Sequence, residues 1–131
     1  MNGLPVDHVA VAIPDLAEAI PLYERLTGAR SSPVEDIPSQ GVRVAFVGGV
    51  ELLEPLSPTS TVARFLERNG PGLHHIAYRT DDIRSELARL SRTGFQLIDA
   101  EPRPGAGGHL VAFLHPRSTG RVLVELVQHT P

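Results

Sequence analysis

The chain has 131 residues, of which 41% are hydrophobic and 21% are charged, as is typical of a single globular domain with a real core. Its formal net charge is −3, and no Lys/Arg cluster is long enough to follow a phosphate backbone, so nucleic acid is not expected as a partner. The absence of cysteine excludes disulfides and thiolate metal sites.

The sequence also argues against a membrane protein. No apolar run is long enough to span a bilayer, and residues 1–4 show no signal-peptide pattern. These features predict a cytoplasmic enzyme or a cytoplasmic binding module.

The N-terminal stretch predicts a strand followed by a helix. Residues 5–13 alternate weakly and are rich in Val and Ile, which favours a strand. Asp15 is placed to cap a helix, and Gly28 is suited to end it. Pro21 lies inside this helix and removes one backbone hydrogen bond.

The rest of the first half predicts two more strands. Residues 30–41 are polar and rich in Pro, which predicts a loop, with a further strand possible near 30–34. Residues 41–47 and 50–55 predict strands joined by the two-residue turn Gly48-Gly49.

The second half predicts the same order of elements after a connecting helix. Apolar spacing and turn residues carry this prediction. The expected elements are a connecting helix at 58–69, strands at 74–80, 95–99, 109–114 and 121–127, and a helix from Asp82 to Gly94.

The two halves repeat one another. Placing His8 over His75 also aligns Ala10 with Ala77 and Asp15 with Asp82. The predicted fold class is therefore α+β, with two paired βαβββ modules that form a curved mixed sheet around a metal cleft. Residues 1–131 are expected to make one domain, with module one at about 1–57, a connecting helix at about 58–71 and module two at about 72–131.

Two carboxylates stand at matching places in the last strand of each module. Glu51 in Val-Glu-Leu-Leu corresponds to Glu125 in Val-Glu-Leu-Val. A lone His or Glu on an apolar strand is more often a core or edge residue than a ligand. Because each repeat supplies one His and one Glu, a metal site at His8, Glu51, His75 and Glu125 is favoured, and this ligand set accepts several divalent metals.

The other histidines are expected to lie outside this set. His74 alternates to the opposite face from His75. His109 and His115 are interpreted as loop or substrate-channel residues, and His129 as part of a frayed terminus.

The chain resembles the vicinal oxygen chelate (glyoxalase-like) superfamily and, within it, the methylmalonyl-CoA epimerases. The resemblance covers nearly the whole chain. The stretches that carry it are DHVAV (7–11), SQGVR (39–43), ELLEPL (51–56), FLERN (65–69), GLHHIA (72–77), FLHPR (113–117) and GRVLVEL (120–126).

The resemblance implies an isomerase that interconverts (R)- and (S)-methylmalonyl-CoA by proton abstraction at C2 through an enolate stabilised by a metal. It places the metal ligands at His8, Glu51, His75 and Glu125. It also implies an acyl-CoA substrate, a homodimer, and a divalent ion such as Co, Mn, Ni or Zn, with no redox cofactor. Residues 104–109 and 115–117 correspond to segments near the family's substrate entrance.

One position departs from the sequence pattern of the methylmalonyl-CoA epimerases. Some members carry a catalytic Glu at the position of Val44. We therefore hypothesise that Glu51 and Glu125 are the catalytic residues, acting from opposite modules while they bind the metal.

Three alternatives remain open from the sequence. A glyoxalase-type isomerase or another lyase of the same fold would use the same ligands. A non-haem iron dioxygenase normally uses two His and one carboxylate, so the second carboxylate counts against it. A small-molecule binding protein of drug-resistance type can dispense with metal ligands.

Overall fold

The computed structural model describes residues 3–131. They group into two compact units, one formed by residues 9–74 and the other by the residues up to 8 together with 75–131. The N-terminal boundary falls inside the first strand, so His8 belongs to the second of these units. No helix within residues 3–131 has the length and apolar character needed to cross a membrane.

The first module has the predicted order of elements. Its strand order is β2-β3-β4-β1, with β1 and β4 parallel and the other pairs antiparallel. Its elements, with the connecting helix α2, are β1 (Val6–Ala12), α1 (Leu16–Thr27), β2 (Glu35–Ile37), β3 (Val42–Val47), β4 (Val50–Pro55) and α2 (Thr61–Asn69).

Local chemistry explains where α1 begins and ends. Asp15 is its N-cap and accepts a hydrogen bond from the Ala17 amide at 2.9 Å. Gly28 ends the helix at φ 77°, a conformation that glycine adopts without strain. The helix then packs Leu16 and Ala19 against the strand residues Val11, Ala45, Val47 and Leu52 and against Ile13, which follows β1.

Two boundaries in the first module differ from the prediction. The extra strand lies at Glu35–Ile37, whereas near 30–34 there is one isolated bridge, between Ser31 and Val47. The connecting helix begins at Thr61, not at 58, because the Ser60 hydroxyl caps it by accepting from the Ala63 amide at 3.2 Å.

The second module repeats the βαβββ order. Its strand order is β5-β8-β7-β6, with β5 and β8 parallel and the other pairs antiparallel. Its elements are β5 (Gly72–Arg79), α3 (Ile83–Arg92), β6 (Arg103–Pro104), β7 (Leu110–Leu114) and β8 (Val124–Gln128). The predicted α+β class with paired βαβββ modules is confirmed.

The predicted strand at 95–99 is wrong. Only Leu97 forms a bridge there, to Leu114. The amides of Ile98 and Asp99 both donate to the Phe113 carbonyl, and the Asp99 side chain accepts from the Phe113 amide at 2.9 Å. A side chain thus replaces the regular ladder of backbone hydrogen bonds, and β6 is the second strand of the module along the chain.

The last strand also begins later than predicted, at Val124 and not at 121. Arg121 has a φ of +73°, which is uncommon for a residue with a Cβ. Its amide donates to the Pro116 carbonyl at 2.8 Å, so this residue closes the turn.

Candidate metal centre

His8 is a buried polar residue of β1, and its ring is held from one side by its neighbour. Its side chain is 6% exposed. Its Nδ1 lies 2.7 Å from Oδ2 of Asp7. This contact directs the other ring nitrogen, Nε2, away from Asp7.

His75 on β5 and Glu125 on β8 meet His8 within the same unit. The Nε2 atoms of His8 and His75 lie 3.3 and 3.5 Å from one oxygen, Oε1 of Glu125. Both partners of His8 are buried. The parallel pairing of β5 with β8 sets Ala77 opposite Glu125. Three of the four predicted ligands therefore converge on one point.

Glu125 is ionised although its side chain is buried. Burial acts to raise its pKa, but hydrogen bonds and charge interactions with His75 and His8 outweigh burial and lower the pKa from 4.5 to about 2. The site therefore holds a carboxylate anion at neutral pH.

This arrangement fits a divalent cation. Nδ1 of His8 donates a hydrogen bond to the Asp7 carboxylate, so Nε2 is the ring nitrogen that faces the Glu125 anion. Imidazole nitrogens and carboxylate oxygens are ligands for Co, Mn, Ni and Zn.

Glu51, the fourth predicted ligand, lies on β4 in the unit of residues 9–74. It is 6% exposed and stands in register with Ala10 of β1. A carboxylate buried to this extent needs polar or cationic partners.

His74, the neighbour of His75 on β5, has a burial and a ring contact of its own. It is half-buried, whereas His75 is buried. Its ring meets the Phe65 ring edge-on, with centroids 5.0 Å apart.

The interpretation of His129 as part of a frayed terminus is wrong. Its Nε2 lies 2.6 Å from Oδ1 of Asp7, and its ring stacks on that of His109 at 4.3 Å. Strand parity was the available signal, because His129 alternates in step with Glu125 and Val127. His115, by contrast, caps a short 3₁₀ turn by accepting from the Arg117 amide at 3.0 Å.

Two buried imidazoles and an ionised carboxylate, carried on paired βαβββ modules, define a class of proteins suited to a divalent metal. The chain belongs to the Glyoxalase/Bleomycin resistance protein/Dioxygenase superfamily, whose family model matches residues 7–113. The superfamily resemblance inferred from the sequence is confirmed.

Relatives within the superfamily are named as epimerases, a class of isomerase. The mitochondrial methylmalonyl-CoA epimerase of Homo sapiens is 40% identical over 128 residues, which cover 94% of this chain and 73% of that protein. The ethylmalonyl-CoA/methylmalonyl-CoA epimerase of Cereibacter sphaeroides is 41% identical over 129 residues, which cover 94% of this chain and 96% of that protein.

A solved structure of a methylmalonyl-CoA epimerase in complex with methylmalonyl-CoA and NH4+ is also similar. It has a TM-score of 0.93 and is 34% identical, and the match covers 98% of this chain and 96% of that one. The resemblance to epimerases extends over nearly the whole of both chains.

Proposed function

We propose that this chain is a metal-dependent epimerase that interconverts (R)- and (S)-methylmalonyl-CoA by exchanging the proton at C2. The observation that carries the proposal is the convergence of His8 and His75 on the ionised Glu125. Relatives of about 40% identity that bear the epimerase name support the choice of reaction.

The proposed metal ligands are His8, Glu51, His75 and Glu125. All four are buried, and the repeat supplies one His and one Glu from each module. A bound divalent ion such as Co, Mn, Ni or Zn would polarise the thioester carbonyl of the substrate and so stabilise the enolate that forms when C2 loses its proton.

Glu51 and Glu125 are the proposed catalytic residues. Glu125 is ionised at neutral pH, so a carboxylate oxygen is available to accept the C2 proton. Epimerisation also requires a proton to return on the opposite face, and Glu51 is assigned to that role. Val44 is buried and apolar, so it supplies no acid or base.

The finer properties expected from the sequence remain proposals. The substrate is an acyl-CoA thioester, for which the complex of a similar epimerase with methylmalonyl-CoA gives support. The homodimer, the cytoplasmic location and the single domain of residues 1–131 remain predictions.

The first test is solvent deuterium incorporation at C2 of methylmalonyl-CoA, followed by mass spectrometry. We expect exchange with added Co²⁺ and loss of exchange after chelation. The matched variants are His75→Gln and His74→Gln. The first removes a proposed ligand and should abolish exchange, whereas the second changes the neighbouring half-buried histidine and should retain it.

Two results would contradict the proposal. Deuterium exchange that persists after complete chelation would show that the reaction does not require the metal. A metal-loaded protein that gives no exchange with methylmalonyl-CoA would keep the site but assign the chain to another reaction of the superfamily.

A further inference from the structure

Asp7 joins two histidines that lie far apart in the sequence. Its Oδ2 lies 2.7 Å from Nδ1 of His8, and its Oδ1 lies 2.6 Å from Nε2 of His129. Both distances are short enough for a hydrogen bond between a ring nitrogen and a carboxylate oxygen.

Carboxylate oxygens accept hydrogen bonds, and the N–H groups of imidazole rings donate them. Nδ1 of His8 and Nε2 of His129 must then both donate to Asp7. Each oxygen of Asp7 is engaged by a different ring, so the carboxylate plane cannot turn without breaking one of the two bonds.

His129 is itself held in place by the segment that precedes β7. Its ring stacks on His109 with an angle of 11° between the ring planes. Nδ1 of His109 accepts from the Thr130 amide at 2.9 Å, and the Thr130 hydroxyl donates to the Gly108 carbonyl at 3.1 Å. The C-terminal residues are thus anchored on both sides of the His129 ring.

We propose that His129 is a positioning residue that acts through Asp7 to hold the His8 ring in its metal-binding orientation. The proposal rests on the metal site assigned above. Hydrogen-bond partners of metal-binding histidines set the tautomer and the ring direction. His129 extends that support by one residue, because it orients the carboxylate that orients His8.

Two substitutions separate the hydrogen bond from the stacking. His129→Phe keeps an aromatic ring for His109 but removes the donor to Asp7. His129→Gln keeps an N–H donor and removes the ring. If His129 acts through its hydrogen bond, His129→Gln behaves like the parent protein and His129→Phe does not.

The first measurement uses the metal-free protein labelled with ¹⁵N-histidine. The proton on Nδ1 of His8, assigned by its loss in His8→Gln, is expected to be visible in the parent and in His129→Gln. In His129→Phe it should broaden and disappear through faster exchange with water. A proton that stays sharp in His129→Phe would overturn the proposal.

The second measurement is Co²⁺ affinity by competition with a chelator. Asp7→Asn should weaken binding by about 10- to 100-fold, as for other hydrogen-bond partners of metal ligands, and His129→Phe by roughly 3- to 10-fold. The His129→Phe effect should vanish in the Asp7→Asn background. Equal losses in both backgrounds would assign His129 a merely structural role and overturn the proposal.

The two measurements also distinguish this inference from the proposed function. A parent protein that binds none of Co²⁺, Mn²⁺, Ni²⁺ and Zn²⁺ would refute the metal site. The spectra of the metal-free protein would still decide whether His129 orders His8 through Asp7.

Discussion

At the scale of single residues, Glu125 explains most of the chemistry of the candidate site. It is buried and yet ionised, because the Nε2 atoms of His8 and His75 approach the same carboxylate oxygen. A buried charge of this kind is stable only with its partners in place. The geometry of the three residues is therefore both a stabilising feature and the condition for binding a cation.

The lowered pKa of Glu125 predicts how the metal-free protein responds to acid. Because the folded-state pKa, about 2, lies below the ordinary value of 4.5, the stabilisation is present above about pH 4.5 and is lost as the pH falls toward 2. Its upper limit is about 3 kcal/mol. Denaturant unfolding between pH 2 and 6 measures it.

The control for this prediction compares two neutral substitutions. Glu125→Gln should flatten the dependence of the unfolding free energy on pH. Glu101→Gln, at a side chain that is 82% exposed, should leave that dependence unchanged. A Glu125→Gln variant with the pH dependence of the parent protein would contradict the assignment.

Glu51 provides a second prediction at this scale. Glu51→Gln retains an oxygen ligand but removes a base, so we expect Co²⁺ to remain bound while the epimerisation rate falls by about 100-fold or more. Metal content and coupled turnover of methylmalonyl-CoA measure the two effects separately. Full epimerase activity in Glu51→Gln would show that Glu51 takes no part in the proton transfer.

At the scale of elements, the start of the main helix is built alike in both modules. Asp15 and Asp82 are the N-caps of α1 and α3. The next amide in each helix donates to a side chain of the module's last strand. Leu16 donates to Glu54 at 2.9 Å, and Ile83 donates to Gln128 at 2.8 Å. The first amide of each helix therefore ties the helix to the strand that carries a proposed ligand.

The cap of α3 can be tested against its neighbour. Asp82 accepts from the Ser85 amide at 3.1 Å, so Asp82→Ala should lower the free energy of unfolding by about 1 kcal/mol. Asp81 is exposed, and Asp81→Ala should change it by less than about 0.5 kcal/mol. Urea midpoints with unchanged m-values measure both. Equal urea midpoints for the two variants would show that the Asp82 cap does not contribute to the free energy of unfolding.

The helices and strands also show which features could be predicted from neighbouring residues in the sequence. Both cap aspartates, Gly28 and the turn at 48–49 could be recognised from the sequence, because caps and turns depend on neighbouring residues. The pairing of residues 95–99 could not be recognised, because the Asp99 side chain takes the Phe113 amide from a distant strand. Such a competition between side chain and backbone is visible only after the strands have come together.

At the scale of the whole molecule, the proposed ligands come from the first and last strands of both modules. Metal binding should therefore stabilise the folded chain. At a free Co²⁺ concentration of 100 times the dissociation constant, linkage gives about 2.7 kcal/mol. For a chain of this length that corresponds to a rise of roughly 10 °C in Tm.

Thermal unfolding with and without Co²⁺ measures this stabilisation. Chelation should restore the Tm of the metal-free protein, and His75→Gln should show little or no rise in Tm when Co²⁺ is added. A rise of equal size in His75→Gln would place the stabilising metal elsewhere.

The sequence by itself determined the repeat, the βαβββ order and the candidate ligands, because periodicity, caps and matching polar positions are local properties of the chain. Only the tertiary structure brought His8 and His75 onto one oxygen of Glu125. Only the tertiary structure linked His129 to Asp7, 122 residues away. Strand parity indicates the face on which a side chain lies, but its partners depend on strand register and on how the loops close, which are decided by packing over the whole chain.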